Sequence, residues 1–207
     1  MYLSRVILER IPPPNIIHGV ISVAFPGKRS DRANENLWRI DCLGDSNSLL
    51  VLSINSPTIS HIIEEIGVDD NRNGTIDYDP FLAQIKIGQT WRFRLCANPV
   101  KHISNSLGGR GKVCALHSES DQFEWLGEQG VKHGFNVNRC FIASDEWRMF
   151  GGSRKRGTDN IVRIRAVTYD GMLTVTDPSS LCAVLKSGIG RGKAYGCGLL
   201  TIARVSP

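Results

Sequence analysis

Gly188-Ile189-Gly190-Arg191-Gly192-Lys193-Ala194-Tyr195-Gly196-Cys197-Gly198-Leu199-Leu200 sets glycines around two cations in one short loop. Glycine lets backbone approach a ligand closely, and consecutive free amides form an anion-binding concavity. A dinucleotide fingerprint also uses Gly-x-Gly, but it follows a strand and opens a helix. Here the order is reversed. Asp177-Pro178 reads as an N-cap and first helical residue, Leu181, Val184 and Leu185 form an apolar stripe, and Gly188 falls where a helix stops. Residues 199–205 then read as a strand, so the loop joins a helix to a strand. That order argues against a nucleotide cofactor. It predicts a loop lying along a polyanion backbone, with Gly188, Gly190, Arg191, Gly196 and Gly198 as contacts.

Charge supports this reading. The chain of 207 residues carries a net charge of +5, divided unevenly: residues 1–88 hold 8 Lys/Arg against 11 Asp/Glu, and residues 89–207 hold 17 against 9. The basic second half is the expected footprint of a nucleic acid. Hydrophobic content of 41% suffices for a core. No apolar run approaches the roughly 20 residues that cross a bilayer, and no charged-then-apolar leader opens the chain. A soluble, cytoplasmic protein is therefore expected. Cys42, Cys96, Cys114, Cys140, Cys182 and Cys197 include no C-x-x-C pair, so they read as reduced thiols rather than a zinc cluster or disulfide framework.

Outward from the loop, residues 91–97 read as a strand and 121–128 as helical. Residues 161–176 read as a hairpin turning at Asp170-Gly171, a dipeptide suited to a type I′ turn. In the first half, 2–7 reads as a strand, 37–42 and 49–54 as a hairpin around Gly44 to Asn47, 58–66 as a helix and 82–87 as a strand. Residues 16–25 are rich in β-branched side chains, which alone suggest a strand.

The glycine-rich loop, Met1-Tyr2-Leu3-Ser4-Arg5-Val6, Phe93-Arg94-Leu95-Cys96-Ala97-Asn98-Pro99-Val100-Lys101 and Gly171-Met172-Leu173-Thr174-Val175-Thr176-Asp177 together resemble the CasE family. These are the repeat-processing endoribonucleases of type I-E CRISPR systems, among the RAMP proteins. The matches keep their order over nearly the whole chain. The resemblance implies a helix at 16–25, and both halves then read β-α-β-β-α-β. The implied fold is α+β, two tandem ferredoxin-like domains: residues 1–88 carrying the catalytic histidine, and residues 89–207 carrying the RNA-binding surface. The implied partners are the CRISPR repeat RNA stem-loop, as precursor and as mature crRNA, and the other subunits of the Cascade complex.

The resemblance implies His18 as the catalytic residue, in Asn15-Ile16-Ile17-His18-Gly19; on sequence alone His61, His102, His117 and His133 are equally available. RNA cleavage without metal or cofactor needs the 2′-hydroxyl activated and the 5′-oxygen protonated. An imidazole serves either step. The product would carry a 2′,3′-cyclic phosphate opposite a 5′-hydroxyl. Family members often place a tyrosine three residues before the histidine, where this chain has Asn15, which cannot shuttle a proton. Lys193, matching the family's loop lysine, would set positive charge beside the phosphorane or contact a phosphate.

Gly151-Gly152-Ser153-Arg154-Lys155-Arg156-Gly157 puts three cations ahead of a strand that alternates Arg163 and Arg165 with Val162, Ile164 and Ala166. The resemblance implies a basic hairpin pressed against the stem-loop, where A-form geometry exposes shape and phosphates rather than base edges. Lys28 and Arg29 are expected near the cut. Asp69-Asp70-Asn71-Arg72-Asn73-Gly74-Thr75-Ile76-Asp77 imitates the start of a calcium loop, but Pro80 stands where its bidentate glutamate belongs. A tight Asx-rich turn is the reading, and no metal is assigned. The alternative function, from a different class, is a non-catalytic subunit that binds guide RNA as a scaffold.

Overall fold

Alternation in Tyr2–Leu8 (β1) sets the first layer: Val6 and Leu8 are buried and Arg5 faces solvent. The computed structural model describes residues 1–24, 36–44, 46–105, 109–150 and 161–205. Pro14–Ala24 (α1) is helical despite its β-branched content, because Ile17, Val20, Ile21 and Ala24 recur at helical spacing and are all buried. Burying a large aliphatic side chain contributes roughly 1.5–3 kcal/mol, more than the propensity it opposes. Leu37–Leu43 (β2) and Ser46–Ser53 (β3) form a hairpin, Ile59–Ile66 (α2) follows, and Gly74–Asp77 (β4) completes an antiparallel sheet ordered β2-β3-β1-β4. The helices cover one face, where Ile17, Val20 and Ile62 meet Val6, Trp38, Leu49 and Val51.

After a single-turn helix, Asp79–Leu82 (α3), the pattern repeats. Thr90–Ala97 (β5) leads through an inserted hairpin, Val100–Asn105 (β6) and Gly109–Ala115 (β7), to the helix Glu119–Lys132 (α4). The strands Phe135–Phe150 (β8) and Val162–Val175 (β9), the helix Pro178–Ser187 (α5) and the strand Leu200–Arg204 (β10) follow. The sheet order is β10-β5-β9-β8. With each sheet's strands renumbered in chain order, the two orders are the same, so the fold is a tandem of ferredoxin-like β-α-β-β-α-β units. Both helices start as their caps dictate: the Ser118 hydroxyl accepts from the Asp121 amide and the Asp177 carboxylate from the Ser179 amide, with Pro178 in the first turn.

Two expectations are corrected. Residues 82–87 are not a strand; Gly74–Asp77 pairs with β1 instead (Tyr2↔Asp77, Arg5↔Gly74), and Pro80 starts a helical turn that buries Leu82. Too short and polar to show an alternating pattern, that strand is held by its neighbour. Residues 161–176 are not a hairpin: β9 runs straight through Asp170-Gly171 and pairs with β8, a strand of 16 residues that the sequence did not disclose. Asp170 is drawn to Arg94 rather than into a turn. Gly171 is there because a Cβ would collide with the Arg139 carbonyl, beside a register shift between Val137 and Arg139. The β6–β7 hairpin is likewise an addition to the sequence-based reading.

The two sheets are joined by one buried cation. Arg39 on β2 is 1% exposed, and every N–H of its guanidinium is used. Nε and Nη2 donate to the Asp41 carboxylate at 2.7 and 2.8 Å. Nη1 donates to the carbonyls of Arg94 (2.9 Å) and Leu199 (2.8 Å), and Nη2 also to Thr201 Oγ1 (2.8 Å). Arg94 in turn approaches Asp41 at 3.7 Å and grips Asp170 through Nε at 2.6 Å. One guanidinium thus ties β2 of the first sheet to β5 and β10 of the second. Arg39→Met is expected to destabilise the fold by about 3–5 kcal/mol, because it strands the Asp41 carboxylate without its partner. Urea denaturation would read this as a lower midpoint.

Candidate functional site

His18 lies on the solvent side of α1, one residue past the buried Ile17. Asn15 is in the same helix, one turn earlier. Helix α1 touches the 3-10 turn Lys193–Tyr195 inside the glycine-rich loop, and that turn also rests on β2. Between these elements and β8 opens a cleft of about 570 Å³ whose walls include Ile17, Trp38, Tyr195, Arg148 and Phe150. Tyr195 packs on Phe150 with ring centroids 4.4 Å apart. The elements carrying His18 and the glycine-rich loop, one from each unit, therefore meet at one cleft.

The loop's glycines pack closely against their surroundings. Gly188, Gly190, Gly192, Gly196 and Gly198 all have positive φ, as a chain that reverses repeatedly requires. Gly188, Gly196 and Gly198, which the sequence put forward as RNA contacts, are buried. A Cβ on Gly196 would sit 2.7 Å from the Trp38 ring, and one on Gly188 2.8 Å from Leu37. Gly190 and Arg191 remain exposed, with Arg191 bridged to Asn98. Lys193 is half-buried, and its Nζ donates to the Ser187 carbonyl at 2.6 Å. The ammonium thus closes the loop on the C-terminal end of α5, where positive charge is favoured. Beneath the loop Cys96 and Cys197 are buried together. The hydrogen bond between the thiols favours ionisation of Cys96 and opposes that of Cys197.

Arg154, Lys155 and Arg156 fall outside the described residues, as do Lys28 and Arg29. The arms that carry residues 151–160 are β8 and β9, paired to their ends at Phe150↔Val162. Arg163 is exposed on β9. Arg165, expected to contact RNA, is held by Asp145 through Nε and Nη2, both at 2.6 Å, while Nη1 meets His117 Nδ1 at 2.6 Å. That fork keeps the Asp145 carboxyl below the usual carboxylate range. Its contribution to stability is present at neutral pH and fades as pH falls through the lowered folded value. Sequence reasoning missed the β6–β7 hairpin, which exposes Lys101, His102 and Lys112. Its only sequence signal was a cation spaced among β-formers.

The calcium-like segment is a turn. Asp70 accepts from the Arg72 amide and guanidinium, which hold its carboxyl down to about 2. Asn73 receives the Ile7 amide and donates to the Val68 carbonyl. Its side chains are turned to β1 and to one another.

Fold and site define a class: a tandem ferredoxin-like protein whose basic second unit carries a glycine-rich loop against the first unit's leading helix. Residues 1–204 match the model of the family described as CRISPR associated protein, and the chain belongs to that family. It is 27% identical to the CRISPR-associated endoribonuclease Cse3 of Thermus thermophilus, over 97% of this chain and 94% of the relative. It is also 27% identical to the CRISPR system Cascade subunit CasE of Escherichia coli, over 98% and 99%. The structure of Thermus thermophilus Cse3 bound to an RNA representing a pre-cleavage complex superposes with a TM-score of 0.74 at 25% identity, covering 98% of both chains.

Two glycine substitutions separate strain from open space. Gly196→Ala, at φ +79° and against Trp38, is expected to cost about 1–3 kcal/mol. Gly127→Ala in α4, with nothing near the added Cβ, is expected to stabilise by about 0.5–1 kcal/mol. Thermal unfolding should move in opposite directions for the two.

Proposed function

We propose that the protein is a metal-independent endoribonuclease that cleaves CRISPR precursor RNA beside each repeat stem-loop. It then stays on the mature crRNA as a subunit of Cascade in the cytoplasm. The observation that carries this reading is the meeting of α1, which bears His18, with the glycine-rich loop at one cleft. Family membership and full-length similarity to an endoribonuclease and a Cascade subunit support it. No helix among the described residues is long and apolar enough to cross a membrane.

The chemistry is an internal displacement. The 2′-oxygen attacks the adjacent phosphorus, the bond to the 5′-oxygen breaks, and the 2′-proton leaves while the 5′-oxygen gains one. His18 is assigned one of these proton transfers, as it lies on the exposed side of α1. Lys193 is assigned to the same site through the loop: one N–H of its ammonium fastens the loop to the Ser187 carbonyl, and an ammonium has three donors, so the same group can also meet a phosphate. The division of labour follows the two sheets. Residues 1–88 supply the catalytic helix, and residues 89–207 supply the basic surface, with Arg163, Gly190, Arg191 and the cations 154–156 as RNA contacts. Lys28 and Arg29 are assigned to the backbone near the cut.

Incubated in EDTA with a labelled hairpin of its host's repeat, the protein should make a single cut at the base of the stem. His18→Ala should slow that cut by roughly 10² to 10⁴-fold while hairpin affinity stays nearly unchanged. Undiminished cutting would remove His18 from the mechanism, and tight binding with no cut by the parent protein would make it a scaffold subunit. Neutralising Arg154, Lys155 and Arg156 should flatten the salt dependence of binding by about 0.7–0.9 log units for each phosphate that no longer meets a cation.

A further inference from the structure

The face of the second sheet that turns away from α4 and α5 carries cations that do not line the cleft beside α1. Its register aligns Ala203, Arg92, Met172 and Arg139 across β10, β5, β9 and β8. Thr201, Arg94, Asp170 and Phe141 form the next row on the same face. Arg94 is neutralised by Asp170, and Arg39 by Asp41. Arg92 and Arg139, by contrast, are exposed, and their side chains make no ion pair or hydrogen bond among the described residues. They flank Met172 at two strand spacings, about 10 Å apart. Phe141 is 60% exposed beside them. A groove of about 780 Å³ runs over these rows, with Leu3 and Leu50 of the first sheet as its far wall.

Of the charged groups lining the groove, four are guanidiniums (Arg39, Arg92, Arg94, Arg139) and two are carboxylates (Asp41, Asp170), which leaves an excess of positive charge. A flat aromatic beside unpaired arginines is the combination that takes single-stranded nucleic acid: bases stack on the ring and the forks hold phosphates. A duplex is a poorer fit, because its bases are already stacked and unavailable to Phe141. We propose that this groove binds an unpaired stretch of RNA adjoining the hairpin, with phosphates on Arg92 and Arg139 and a base on Phe141. This site rests on the endoribonuclease reading, but lies across the Arg39–Asp41–Arg94 network from the cleft beside α1, since Asp41 and Arg94 line both.

The test uses the full chain carrying His18→Ala, so that RNA stays intact, and three probes read by fluorescence anisotropy against salt. These are the repeat hairpin alone, the hairpin with an unpaired extension at either end, and an unpaired oligonucleotide without a hairpin. The extension should tighten binding and steepen the salt slope by about 1.4, from two phosphates at about 0.7 each. Adding Arg92→Gln and Arg139→Gln should erase both gains and leave hairpin-only affinity unchanged. Phe141→Ala should weaken the extended probe without changing its salt slope. An extension that adds nothing in the parent chain, or whose gain survives the double substitution, overturns the proposal. So does a double variant that binds every RNA normally but no longer retains partner subunits, which would make the groove a protein-docking surface. If the hairpin alone fails to bind, the endoribonuclease reading fails, and the unpaired oligonucleotide still decides the groove by the slope difference between parent and variant.

Discussion

Arg39 is the constraint on which the arrangement of the two sheets depends. A guanidinium that is 1% exposed must satisfy five N–H donors without water, and here the acceptors come from both units: Asp41 beside it, and the Arg94 carbonyl, the Leu199 carbonyl and Thr201 across the interface. Such a group tolerates little sliding, because any shift orphans a buried donor. Apolar contacts such as Leu37 and Leu52 in the shared core supply area without fixing register. Directional bonds from one planar fork supply the register. Whether the network adds net stability over an apolar replacement is a separate matter from its geometry, as buried ion pairs commonly trade desolvation against attraction.

That docking creates the cleft. Helix α1 belongs to the first sheet and the glycine-rich loop to the second, so neither unit alone holds both. The loop reaches α1 because three of its glycines lie where any side chain would strike Leu37, Trp38 or the Ile189 carbonyl. Positive-φ backbone at glycines spaced along the loop lets the chain fold flat on β2. Lys193 then ties the loop back to α5. A loop braced on three sides can present Gly190 and Arg191 at a fixed place, which suits a polyanion whose phosphates are also fixed by a helix.

Much of the fold was legible in the chain. The Asp177-Pro178 start and Gly188 stop of α5 carry local physics that tertiary context did not change: an N-cap, a fixed proline φ and a position that only glycine fills cheaply. Strands β1, β2, β3, β5 and β10 showed themselves by alternation or β-branched runs. The misreadings share a cause. Asp170-Gly171 has turn chemistry, yet lies mid-strand because Arg94 takes the aspartate and the Arg139 carbonyl crowds the glycine. Gly74–Asp77 is a strand only because β1 offers an unpaired edge.

The sequence by itself determined the order of most elements, the basic second half, the helix-to-strand setting of the glycine loop and the residues worth weighing for catalysis. These depend on composition, capping and spacing, which act over a few residues. Only the tertiary structure decided that Arg39 joins the sheets and that Gly196 lies against the Trp38 ring. It also decided that Arg165 belongs to Asp145, and that Arg92 and Arg139 stand unpaired in one row. Each of those facts is a long-range pairing, and which donor meets which acceptor is settled by the packing of strands far apart in the chain.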